Sequence, residues 1–144
     1  MNRASLLLLL FSSHHDPFRY RAASSHGSPV RCHSGLNGRC LSVLALESDF
    51  ESAVAACVAA GGQLAANVST EEDRLLRENG PEYDFLWLAL VQNSGQASPF
   101  EGWSWIVNGL LVPATDLNWG ANEPNDQHMV ENHGALIGNL GDPV

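Results

Sequence analysis

The run Phe85-Leu86-Trp87-Leu88-Ala89-Leu90-Val91 constrains what this chain can fold into more than any other feature. An unbroken apolar run has no polar side to offer to water, so as a strand it must be buried on both faces. Cover must then come from the chain on either side of it. After the run come Trp103, Trp105 and Trp119, set among Gly102, Gly109, Pro113 and Gly120. Each indole can bury about 150 to 250 Å², in a segment with little regular periodicity. The tryptophans are therefore expected as core anchors, with a ligand-stacking platform as the alternative. A cation tying several loop oxygens together would add to their hold.

Ahead of the run, two helices are expected. Leu41 to Leu46 has the composition of a short strand, and Ser48-Asp49-Phe50-Glu51 after it has the spacing of a capping box. Phe50, Val54, Cys57 and Val58 then form one apolar stripe, the intervening alanines keep helix propensity high, and Gly61-Gly62 ends the helix. Gln63 to Val68 is a brief extended piece. Ser69-Thr70-Glu71-Glu72-Asp73 opens a second helix with acids in its first turn, where the helix dipole favours them. Leu75 and Leu76 are its core contacts, and Asn79-Gly80-Pro81 stops it. Ala135-Leu136-Ile137 is expected as a further strand. Asn67-Val68-Ser69 is an N-glycosylation sequon, usable if the chain enters a eukaryotic secretory route.

A length of 144 residues suits one domain with a single core. Sixteen acidic against seven basic residues give a net charge of -9, which repels phosphate backbones and anionic lipid and argues against a nucleic-acid partner. A soluble acidic surface accounts for most of that charge. Met1-Asn2-Arg3 followed by Ala4 to Phe11, with five consecutive leucines, has the basic start and short apolar run of a secretory leader. It is too short to span a bilayer. Residues 1–13 are expected as that leader, 14–31 as a linker and 32–144 as the domain, in an exported chain without membrane insertion. No small-x-small pair follows Phe11 closely, and Ala22-Ala23-Ser24 lies well downstream, so an uncleaved N-terminus is the alternative.

Three cysteines in an exported chain leave one over. Cys32 and Cys40 flank the turn formers Gly35, Asn37 and Gly38, as a small disulfide-closed hairpin would. Cys57 is then either a core thiol or half of a disulfide to a distant segment.

The densest chemistry lies in Asn118-Trp119-Gly120-Ala121-Asn122-Glu123-Pro124-Asn125-Asp126, with Glu131 beyond. Glu123, Asn125 and Glu131 offer hard oxygen ligands of the kind calcium takes, six to eight at a time. Pro124 fixes φ of the turn, and a cis Glu123-Pro124 bond would let both neighbouring side chains point the same way. The tripeptide also occurs as an ordinary polar turn.

The order of these features resembles the C-type lectin domain. It runs Cys40, a capped helix with Cys57, Gly61-Gly62-Gln63-Leu64-Ala65, an acidic helix, Trp87-Leu88-Ala89-Leu90, Trp103-Ser104-Trp105 with Gly109, and Asn118-Trp119 before Glu123-Pro124-Asn125. Trp87-Leu88-Ala89-Leu90 is similar to the family's Trp-Ile-Gly-Leu strand, and Cys32 with Cys40 to the hairpin of its long form. The resemblance covers about residues 32 to 144. It implies an α+β fold of two helices, a small antiparallel sheet and a long irregular loop region. It also implies that Glu123 and Asn125 ligate Ca²⁺ while bonding two sugar hydroxyls, joined by Glu131, which lies eight residues after Glu123. A Glu-Pro-Asn order is associated in the family with mannose, N-acetylglucosamine and fucose.

The family completes this site with a Trp-Asn-Asp strand that has no counterpart here. Asn139 and Asp142 would be divergent substitutes, but their surroundings read more naturally as the turn before such a strand, so an incomplete domain is expected. His133 stands where the family usually has a cysteine of a second disulfide. Two other functions compete: a calcium-independent module of the same fold that binds protein, and a zinc hydrolase built on His128, Glu131 and His133. The two histidines are five apart, which disfavours the zinc site, since a helical His-Glu-x-x-His spacing is four.

Overall fold

A computed structural model describes residues 6–12, 39–44, 48–79, 85–93, 95, 98–125 and 131–138. In chain order its elements are β1 (Leu6–Ser12), β2 (Arg39–Leu44), α1 (Phe50–Ala59), β3 (Gln63–Leu64), α2 (Thr70–Asn79), β4 (Phe85–Gln92), β5 (Trp103–Val107), β6 (Leu110–Pro113) and β7 (His133–Ile137). The strands join one sheet in the order β2-β1-β4-β5-β6, with β3 also on β1 and β7 also on β4. Every pairing is antiparallel except β1 with β4. The architecture is α+β and compatible with the C-type lectin-like fold.

The apolar run becomes β4, and Leu86, Leu88, Ala89 and Leu90 are all buried, as a strand covered on both faces requires. One core cluster, with Leu41, Leu76, Leu86 and Trp103, lies on one side, and another, with Phe50, Ala53, Cys57 and Ala89, lies on the other. Against β7 the register of β4 shifts between Trp87 and Val91. In that bulge the Ala89 amide turns away and donates to the Ala65 carbonyl at 2.8 Å.

Both helices form, with details that differ from expectation. Asp49, not Ser48, caps α1, its carboxylate accepting the Ser52 amide at 2.7 Å. The Ser48 carbonyl accepts the Trp87 indole N–H at 2.9 Å, which holds Ser48 in the chain leading into the helix. The buried face of α1 is Phe50, Ala53 and Cys57, whereas Val58 is exposed. Gly61, at φ +84°, closes the helix, with its amide on Val58 O and the Gly62 amide on Cys57 O, a Schellman arrangement. The capping box occurs instead at α2, where the Ser69 amide donates to Glu72 Oε2 at 2.9 Å and the Glu72 amide to Ser69 Oγ at 3.2 Å. Leu76 is fully buried there and Leu75 only partly.

The expectation of little regular structure after Trp103 is corrected by the β5–β6 hairpin. Val107 pairs with Leu110 across Asn108 and Gly109, at φ +50° and +77°. Positive φ at both central residues makes the tight turn that matches strand twist. Trp103 is buried, its indole donating to the Pro99 carbonyl at 2.8 Å, and it serves as a core anchor. The segment expected as a leader supplies β1. The linker at 14–31 and Cys32 lie outside the described residues.

Candidate functional site

The Glu123 loop hangs from the aromatic core. The Ala114 amide donates to the Trp103 carbonyl at 2.9 Å and starts the irregular stretch. Trp119 then packs on Trp103, ring centroids 4.9 Å apart and planes tilted by 59°. Gly120 follows, so close to β7 that a Cβ there would lie 2.9 Å from Ile137 Cδ1 and 3.9 Å from Glu123 Cγ. The chain turns back with the Glu123 amide on the Gly120 carbonyl at 3.0 Å, and Asn122 sits at φ +65° inside that turn.

Glu123-Pro124 is a cis peptide. Pro124 is buried, Glu123 is half-buried and Asn125 is exposed. Across the proline, Asn125 Nδ2 donates to Glu123 Oε1 at 2.9 Å and the Asn125 amide to Glu123 Oε2 at 3.2 Å. The two side chains thus meet on one side of the turn. A carboxylate has about four lone-pair sites, so two remain on Glu123 after these contacts. A carboxylate beside an amide oxygen, with no sulfur or imidazole between them, is a donor set suited to a hard cation such as Ca²⁺.

Glu131 is half-buried and precedes β7, tied there by the Gln92 amide on the Asn132 carbonyl at 2.9 Å. It stands at the His133 end of β7, whereas Gly120 packs on Ile137, about 13 Å of strand further on. Residues 126–130, His128 among them, lie outside the described residues, as do Asn139 and Asp142. Glu123 and Asn125 are therefore placed side by side, and Glu131 lies on the chain entering β7, the strand on which Gly120 packs. Among the described residues no three His, Cys, Asp or Glu side chains cluster as a metal site.

Cys40 is in a disulfide, and its expected partner Cys32 is not among the described residues. Cys57 is a buried thiol, whose pKa burial pushes up to about 12. Asn67 is exposed, at φ +49°. The hydroxyl of Ser69, the third residue of its sequon, donates to Glu72 Oε2 at 3.0 Å.

Sequence reasoning missed a cleft of about 490 Å³ beside the Glu123 loop, whose walls include Asn93, Phe100, Trp103, Ser104, Asp116 and Trp119. The tryptophans were its signal. The polar members come from irregular chain and could not be placed without the fold.

No family model matches the sequence, and no solved structure matches it. Over 90 residues, 62% of this chain, the sequence is 27% identical to the CD209 antigen of Symphalangus syndactylus, a C-type lectin. The chain spans 23% of that protein's length. The likeness supports a relationship to the C-type lectins.

Proposed function

We propose that this chain is a calcium-dependent carbohydrate-binding module for mannose-type sugars, exported and modified at Asn67. The observation that supports it best is the meeting of the Glu123 carboxylate and the Asn125 amide across Pro124. Glu123 and Asn125, with Glu131, would hold Ca²⁺, which when bound supplies a positive centre for one lone pair of each of two sugar hydroxyls. The protein side of recognition is hydrogen-bond direction. Carboxylate oxygens accept from the hydroxyls and amide N–H groups donate to them, so each hydroxyl is used fully. The half-buried Glu123 and exposed Asn125 leave the turn accessible to a glycan or glycoprotein. The net charge of -9 suits a cation and disfavours nucleic acid. No described helix is long and apolar enough to cross a membrane.

The second reading, a protein-binding module of the same fold, has its own observation. The β5–β6 hairpin exposes Leu110 by 70% and, two residues on along the same strand face, Val112 by 45%, an apolar strip suited to a protein partner. For an enzyme there is less: the similar protein is a lectin, and His133 is half-covered by aromatic rings.

Titration calorimetry separates these. Heat from methyl mannoside only after Ca²⁺ is added is the expected result. Calcium uptake with no heat from any monosaccharide, or no calcium uptake, rejects the lectin reading, and zinc uptake with hydrolysis would favour the enzyme.

A further inference from the structure

Among the described residues, β2 reaches the sheet only through β1. Their ladder runs from Leu7 opposite Leu44 to Ser12 opposite Arg39. On its other side β1 meets β3 at Leu9 and Leu10 and β4 at Leu6 and Leu7. β1 is thus an interior strand. Cys40, Leu41, Ser42 and Val43 on β2 are all buried with β1 in place. Without β1, the N–H and C=O groups along β2 would lose their ladder partners and leave an open strand edge, which folded proteins seldom leave unprotected.

The occupant of this slot is also the segment with a leader's composition. Export processing next to Phe11 lacks a small-x-small pair, and cleavage at Ala22-Ala23-Ser24 would remove the whole of β1. We propose that Leu6–Ser12 is retained in the folded protein as the strand that fills the slot between β2 and the β3–β4 side of the sheet. The slot recognises an extended apolar segment through main-chain hydrogen bonds, antiparallel to β2, and the chain supplies that segment itself. The segment that addresses the chain for export would then also complete its sheet. This inference rests on the strand pairing and is independent of sugar binding.

Hydrogen exchange on the folded full-length chain, read by mass spectrometry, tests the pairing. Amides of Leu6–Ser12 and Arg39–Leu44 should both exchange at least about 100-fold more slowly than in an unstructured peptide. Exchange of Leu6–Ser12 at the unstructured rate while Arg39–Leu44 stays protected overturns the proposal. Leu9→Pro, which removes a ladder N–H and puts proline into an interior strand, should abolish protection of Arg39–Leu44, and Leu9→Val should keep it. Unchanged protection in Leu9→Pro also overturns it. Retention is read separately, by N-terminal sequencing of folded protein secreted from insect cells. A first residue at or before Leu6 is expected. A cooperatively folded product that begins after Ser12 refutes retention whatever the exchange result.

Discussion

The imidazole of His133 lies over the ring of Phe50, with centroids 4.0 Å apart and planes 26° from parallel. Trp87 stands edge-on to both, at 5.8 Å from Phe50 and 6.3 Å from His133. The first residue of α1, the middle of β4 and the start of β7 are thereby packed together. This happens at the residue where the resemblance leads one to expect a cysteine. Aromatic packing, with no cysteine, holds the start of β7 to α1 and β4 there.

That packing makes stability depend on pH. Burial lowers the His133 pKa below its ordinary 6.5, against the smaller opposing pull of the Glu51 carboxylate. A histidine held neutral in the fold binds a proton more readily once unfolded, so its contribution is present above the unfolded pKa and is lost as pH falls towards the lower folded one. Thermal melting should show the chain weakening from about pH 7.5 to about 5.5. His133→Phe, which keeps the ring and removes the titration, should weaken less over the same interval. Parallel curves for the two proteins would count against this account.

Gly134 is required by contact. A Cβ there would lie 2.5 Å from Leu90 Cδ2 and 2.9 Å from Leu90 Cβ and Cγ, and Leu90 is buried in the β4 bulge. Gly134→Ala should cost about 1 to 3 kcal/mol, the range for overpacking a filled core. Urea denaturation measures it. The cost should shrink in a Leu90→Ala background, because the clash has one partner; strictly additive costs would refute that partner.

How much of this was legible before the fold was known depends on the range of the forces involved. Helix ends and the β4 run follow from nearest neighbours, so Gly61-Gly62 and Phe85–Val91 are legible in the sequence. The cap moved from Ser48 to Asp49 because of Trp87, thirty-nine residues from Ser48, whose indole takes the Ser48 carbonyl. Val58 fits the helical stripe yet is exposed, since burial follows what packs on α1 and not its periodicity alone. The β5–β6 hairpin is legible in Asn108-Gly109, a strong local turn signal set among the tryptophans. For β1, composition matched a leader and the sheet decided a strand, which no local pattern distinguishes. At the candidate site, the adjacency of Glu123 and Asn125 could be read from Pro124, whereas the place of Glu131 depends on β7.

Cys57 should behave as an inert thiol. With its pKa at about 12, fewer than about one in a thousand such groups are thiolate at pH 8, and only the thiolate attacks alkylating reagents. Iodoacetamide should leave Cys57 unmodified in the folded chain and modify it in urea. Rapid alkylation without denaturant would show that the α1 face is open.

Glu72 ties α2 to β2 from a buried place. One carboxylate oxygen accepts the Ser69 amide and hydroxyl, and the other lies 3.3 Å from Arg39 Nε. Arg39 also donates to the Ala66 carbonyl at 2.8 Å. Glu72→Ala removes the cap and leaves the guanidinium without its carboxylate, at an expected cost of about 1.5 to 3 kcal/mol. Glu72→Gln keeps an acceptor for Ser69 and should cost less. Equal losses in chemical denaturation would mean that the charge, not the cap, carries the stabilisation.

The proposed mannose binding is tested by exchanging what Glu123 and Asn125 offer. Glu123 now presents only acceptors and Asn125 supplies the donor, at 2.9 Å from Glu123 Oε1. Glu123→Gln with Asn125→Asp moves the donor to the other side of Pro124 while leaving size and net charge unchanged. A hydroxyl pair that suits the native order then faces two donors or two acceptors, and an unmatched polar contact costs about 1 to 3 kcal/mol. Affinity for methyl mannoside in Ca²⁺ should fall by at least about tenfold at that cost, while melting temperature stays close to that of the native chain. Both readouts are needed, because a collapsed turn would lower them together. Unaltered mannoside affinity in a folded double variant would mean that these two side chains do not touch sugar.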